Sequence, residues 1–195
     1  MADLTLITGG SRSGKSRYAL SLGEDLNPSP DQSPGPERIF LATCPRLDDE
    51  MEQRIHRHVE ERRPGGWRTH EEQVDLAGAL ARIGGDIVVV DCLTLWISNL
   101  MFHTHGMPQA TDPAGVVDNG LSESDVVRHC ERLIAAIRVR SGSVISVTNE
   151  VGLGIVPDNA LARRYRDLVG RCNQTMAAAA DSVTLMVSGV PVKIK

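Results

Sequence analysis

Gly9-Gly10-Ser11-Arg12-Ser13-Gly14-Lys15-Ser16 satisfies G-x-x-x-x-G-K-[ST] at every fixed position. That spacing makes a phosphate-binding loop. Its glycines let backbone N–H groups turn inward around phosphate oxygens, and the helix that follows points its positive end at the same anion. Lys15 reaches the β- and γ-phosphates, and the Ser16 hydroxyl is a ligand for Mg²⁺. The chemistry therefore starts from a nucleoside triphosphate.

Three further sets of residues could take part. Asp91 follows Ile87-Val88-Val89-Val90, the Walker B arrangement, in which a strand-end carboxylate holds Mg²⁺ opposite Ser16. The plainer role for Asp91 is to cap the next helix. Arg54, His58 and Arg62 recur at i, i+4 and i+8, so they share one helical face. Cations beside an imidazole favour its neutral form, which carries the lone pair of a nucleophile, and guanidiniums neutralise phosphate oxygens. The plainer reading of this face is a solvated basic surface paired with Glu60 and Glu61. His56 competes with His58, and pattern does not choose between them. Finally, Thr148-Asn149-Glu150-Val151-Gly152-Leu153-Gly154-Ile155-Val156-Pro157 sets a carboxylate and two glycines after a strand. It reads as a ligand loop or as an ordinary strand-to-helix turn. His103, His105 and His129 lack ligand spacing and read as surface residues.

The elements that must position these groups alternate. Residues 4–8 predict the strand before the phosphate loop, and 17–26 the helix after it. Residues 38–43, 67–70, 87–90, 144–148, 183–187 and 192–194 predict further strands. The β-branched run at 87–90 suits a sheet covered on both faces. Helices are predicted over 48–63, with Met51, Ile55 and Val59 as its apolar stripe, and over 73–83, 93–102, 122–140 and 159–180. Ser122 with Asp125 reads as a capping pattern. Residues 27–36 (NPSPDQSPGP) and 103–120 read as long surface loops. No internal repeat or linker divides the chain. The expected architecture is a single α/β domain over 1–195, doubly wound around a mostly parallel sheet, of the P-loop NTPase, RecA-like kind.

Composition agrees. The chain has 195 residues, 41% hydrophobic, with a formal net charge of −4. That describes a globular domain and argues against a general nucleic-acid binder, which needs a basic face. No stretch approaches the roughly 20 apolar residues of a membrane span, and no signal-peptide pattern opens the chain. Cys44, Cys92, Cys130 and Cys172 form no C-x-x-C pair, so reduced thiols in the cytoplasm are expected.

Together these segments resemble one family, the bifunctional adenosylcobinamide kinase/adenosylcobinamide-phosphate guanylyltransferases of cobalamin biosynthesis. The matching pieces are TGGSRSGKS, FLATCPRLDDEMEQRIHRHVEERRP with WRTHEE, VVVDCLTLWISNL, and the stretch from VTNEVGLGIVP to the last residue. The R-I-x-x-H and NEVGxGIVP segments are specific to this family. The resemblance implies two reactions. ATP or GTP phosphorylates the aminopropanol hydroxyl of adenosylcobinamide. GTP then donates GMP to adenosylcobinamide phosphate through a guanylylated histidine, which the R-I-x-x-H pattern places at His58. It also implies nucleotide contacts at the phosphate loop (Lys15 being catalytic as well), at Thr43, Cys44 and Pro45, at Val59, Glu60, Glu61 and Arg62, and at Glu71 and Asp91. Mg²⁺ on Ser16 and Asp91 and a homotrimeric assembly follow from the same likeness. A GTPase switch would need N-K-x-D where this chain reads Thr148-Asn149-Glu150-Val151. A simple kinase would leave the Arg54/His58/Arg62 face unexplained. The reach from Lys15 to that face is left open by the sequence.

Overall fold

The computed structural model describes residues 2–26, 35–46, 49–102 and 120–195, with backbone only for Glu50, Met51 and Arg54. The elements are β1 (Asp3–Gly9), α1 (Lys15–Asp25), β2 (Arg38–Ala42), α2 (Asp49–Arg62), β3 (Trp67–Glu71), α3 (Leu76–Arg82), β4 (Ile87–Asp91), α4 (Leu93–Phe102), α5 (Glu123–Arg138), β5 (Ser143–Val147), α6 (Ala160–Ala179), β6 (Ser182–Val187) and β7 (Val190–Lys193). They lie within a few residues of the expected bounds. Of the expected loops at 27–36 and 103–120, residues 27–34 and 103–119 lie outside the described residues.

One seven-stranded sheet runs β3-β2-β4-β5-β1-β6-β7. Every pairing is parallel except that of β6 with β7. The last strand forms an antiparallel hairpin because Ser188 and Gly189 both take positive φ between β6 and β7, a two-residue turn of the kind that suits strand twist. The rest is a doubly wound, mostly parallel sheet of the P-loop NTPase, RecA-like kind.

Alternation sorts the side chains to two faces. Leu4, Leu6, Val88, Val90 and Val144 pack against Trp96, Leu133, Cys172 and Met176 from α4, α5 and α6. Ile7, Phe40, Ile87, Val89 and Ile145 pack against Ala19 of α1 and Trp67. All four apolar residues of β4 are fully buried, which is why that strand reads as a continuous β-branched run. Each such Val or Ile contributes about 1.5–3 kcal/mol relative to exposure. Ser122 caps α5 in a reciprocal box with Asp125.

Register levels the strand ends. Glu71 pairs with Ala42, Ala42 with Asp91, Asp91 with Val147, and Val147 with Ile7. The chemistry-bearing residues therefore leave the sheet along one rim.

Candidate active site at the carboxyl rim

The phosphate loop leaves β1 through Gly9, whose φ of 148° and tight surroundings exclude a side chain: a Cβ there would lie 2.5 Å from the Met186 carbonyl oxygen. Gly14, at φ 91°, turns the chain into α1, and no side chain caps that helix. Its first N–H groups thus remain available to an anion. Lys15 is 7% exposed. Its Nζ sits inside the loop, donating to the Gly10 carbonyl at 2.5 Å and to Ser13 Oγ at 3.4 Å. Burial lowers the Lys15 pKa, and the nearby Cys92 and Asp91 oppose that shift.

Asp91 is where the elements meet. It ends β4 level with Ala42 of β2 and Val147 of β5. Burial raises its pKa, while Ser16, Arg62, Lys15 and His58 each lower it. Groups from the phosphate loop, α1 and α2 thus bear on one carboxylate. Asp91 and Ser16 offer adjacent hard oxygen donors, which suits Mg²⁺, a cation that keeps water and substrate phosphate among its ligands. The described residues hold no group of three or more His, Cys, Asp or Glu suited to a metal, so a fully protein-caged ion is not the arrangement built here.

Arg62 and His58 leave α2 differently. Arg62 is half-buried. Its guanidinium stacks 3.7 Å from the Phe40 ring centroid, Nη2 donates to Thr69 Oγ1 at 3.3 Å, and Nε is buried without a partner. Burial lowers its pKa, opposed by Asp91 and Glu61. His58 is exposed, with Nδ1 2.8 Å from Glu61 Oε2. A neutral ring donating from Nδ1 to Glu61 keeps its lone pair at Nε2. Glu60 pairs with Arg63 at 3.0 Å. The solvated basic face is therefore present only in part: His58 and Arg63 have acidic neighbours, whereas Arg62 turns in onto Phe40 and Thr69. The side chain of Arg54 lies outside the described residues. His56 is exposed on the same helix.

The other anticipated residues lie along the rim. Thr43 is fully buried. Its hydroxyl donates to the Cys92 carbonyl at 2.9 Å and accepts from the Cys92 N–H at 2.7 Å, joining the ends of β2 and β4. Its side chain therefore serves the rim's geometry. Cys44, Pro45 and Val59 are half-buried. Glu71 is held by Arg46, which donates from Nε at 3.1 Å and Nη2 at 2.5 Å and also reaches Glu52 at 3.1 Å. Arg46, which sequence reasoning missed, ties α2 to the end of β3. Phe40, the shelf under Arg62, was also missed, because in sequence it is one more apolar strand residue. All four cysteines are free thiols. His129 is half-buried rather than a plain surface residue. It packs edge-on to Trp96, its pKa lowered by burial and by Arg132 and Arg128; His103 and His105 lie outside the described residues.

A family model described as cobinamide kinase / cobinamide phosphate guanyltransferase matches residues 5–194. The chain belongs to that family. It is 41% identical to the bifunctional adenosylcobalamin biosynthesis protein CobU of Salmonella typhimurium, over 98% of this chain and 99% of the relative. The CobU protein of Escherichia coli is 40% identical over 98% and 99%. The CobP protein of Pseudomonas aeruginosa is 37% identical over 97% and 96%. A solved structure, a KaiC-like protein from Pyrococcus horikoshii, superposes with a TM-score of 0.51 over 94% of this chain and 70% of its own. At 13% identity it is a likeness of fold alone. Among the described residues no helix of this family member is long and apolar enough to cross a membrane.

Proposed function

We propose that this protein carries out both reactions suggested by its family: phosphorylation of adenosylcobinamide by ATP or GTP, and transfer of GMP from GTP to adenosylcobinamide phosphate. The observation that carries this reading is that Lys15 and Ser16 of the phosphate loop share one rim with Asp91, while α2 seats Arg62 on Phe40 of β2, the strand paired with β4. A simple kinase needs the first two with Asp91. It has no use for a half-buried guanidinium seated on the sheet by another helix that also carries an imidazole.

In guanylyl transfer, the His58 Nε2 lone pair attacks the α-phosphorus of GTP. The bond from that phosphorus to the bridging oxygen breaks, and pyrophosphate departs with the electron pair. A phosphate oxygen of the second substrate then attacks the same phosphorus, the P–N bond breaks, and the imidazole is regenerated. Covalent catalysis of this kind replaces one displacement between two anions with two easier steps. Glu61 orients the ring through Nδ1. Arg62 supplies a preorganised positive charge, held in place by Phe40 and Thr69 before any nucleotide arrives. Lys15 and the loop N–H groups hold the phosphate chain. Ser16 and Asp91 would hold Mg²⁺, which when bound neutralises charge developing on the phosphate oxygens. The assembly that goes with this reading is a homotrimer.

The test is incubation with α-labelled GTP. The expected result is protein-bound label that is acid-labile and base-stable, as a phosphoramidate is. A protein that phosphorylates adenosylcobinamide but never takes up label would be a kinase only.

A further inference from the structure

The loop after β5 has no part in guanylyl transfer, yet it occupies the centre of the rim. β5 lies between β1 and β4, with Val147 level with Ile7 on one side and Asp91 on the other. The chain leaving β5 therefore emerges between the phosphate loop and Asp91. Pairing continues past the strand: Thr148 N–H donates to the Ile7 carbonyl at 2.9 Å, and Glu150 N–H donates to the Gly9 carbonyl at 3.1 Å. Glu150 is thereby fixed beside the first glycine of the phosphate loop.

Its two carboxylate oxygens are treated differently. Oε1 accepts from Thr8 Oγ1 at 2.6 Å and from Asn173 Nδ2 at 3.2 Å. Asn173 is buried; it accepts from Thr148 Oγ1 at 2.7 Å and donates to the Asn149 carbonyl at 3.0 Å. Oε2 has no hydrogen bond among the described residues. One oxygen is anchored in a buried polar network and the other is left at the rim. Just beyond in the chain, Leu153, Ile155 and Val156 are exposed, Ile155 by 95%.

We propose that Glu150 is the general base of the phosphoryl-transfer reaction. The inference rests on the functional reading above and assigns the phosphoryl half its own proton acceptor, separate from His58. The acceptor O–H proton passes to Glu150 Oε2 as the hydroxyl oxygen bonds to the γ-phosphorus. The bond from that phosphorus to the β,γ-bridging oxygen breaks, and its electron pair leaves with the nucleoside diphosphate. Glu150 then releases the proton to solvent. Anchoring at Oε1 holds the free oxygen in one place, which proton transfer requires.

The test uses the full chain as wild type, Glu150→Gln and Glu150→Asp, each assayed for adenosylcobinamide phosphorylation with γ-labelled ATP and for protein-bound label from α-labelled GTP. In Glu150→Gln, phosphorylation should fall roughly 10²–10⁴-fold, the usual worth of a positioned base, while guanylyl label remains near wild type. Glu150→Asp should retain an intermediate rate, with the acidic limb of the pH–rate profile that Glu150→Gln lacks. Two results overturn the proposal: phosphorylation at the wild-type rate in Glu150→Gln, or parallel loss of both activities, which would make Glu150 only a strut for Thr8 and Asn173. If wild type shows neither activity, the functional reading itself fails, and this inference with it.

Discussion

The guanidinium of Arg62 lies 3.7 Å from the centre of the Phe40 ring. A residue of α2 is thereby seated on a strand of the sheet, half-buried rather than free in solvent. An arginine held this way has lost its freedom before substrate binds, so little ordering remains to be done in the transition state.

Arg62→Lys keeps the charge and loses the flat stacking surface and the bond to Thr69. Guanylyl labelling should slow by roughly 2–30-fold, corresponding to about 0.5–2 kcal/mol for a partly desolvated cation–π contact. Phe40→Leu should slow it in the same direction with every charge intact. Single-turnover labelling rates check both. Wild-type rates in both variants would mean that the stacked arginine has no role in transfer.

Asp91→Asn should act in opposite directions on activity and stability. Burial raises the Asp91 pKa above its unfolded value. Between those two values the folded chain binds the extra proton, so stability falls as pH rises through that window. Above that window the ionised carboxylate weakens the ligand-free fold, and the neutral amide should raise the melting temperature there. Turnover at limiting Mg²⁺ should meanwhile fall about 10–100-fold. Thermal melts at several pH values and a Mg²⁺ titration of activity read the two effects separately. Normal turnover at limiting Mg²⁺ would leave Asp91 with a structural role only.

His58→Ala should abolish the protein-bound GMP label and leave phosphorylation of adenosylcobinamide measurable. His56→Ala should retain the label, because residue 56 lies about 200° round the helix from residue 58. Peptide mapping of the labelled wild-type protein decides between them, and a modified His56 would overturn the assignment.

Thr43→Val should be a stability variant. It removes the hydroxyl that both accepts from and donates to the Cys92 backbone in a fully buried setting. Each stranded group costs about 1–3 kcal/mol. Urea unfolding should show a lower midpoint with an unchanged slope, the mark of lost stability without a change in surface exposed.

Much of this protein is legible in one dimension because its signals are local. Gly9 to Ser16 announce a phosphate loop because each fixed position answers a need within eight residues. The β4 run announces a covered strand because each of its residues must be apolar. Helix spans follow from 3.6-residue periodicity and from caps such as Ser122, and short right-handed connections leave few ways to wind such elements. The R-I-x-x-H and NEVGxGIVP segments point to the family, which the comparisons bear out. Long-range placement is another matter. That α2 is tied to the sheet depends on Arg46 reaching both Glu71 and Glu52 and on Arg62 seated over Phe40. That Glu150 emerges between the phosphate loop and Asp91 depends on strand order, which sets β5 between β1 and β4. Whether Arg62 faces water or the site is likewise a matter of which side of α2 meets the sheet. Contacts between residues tens of positions apart leave no spacing in the sequence; they are chosen by burial and pairing across the whole domain, and only the tertiary structure displays the choice.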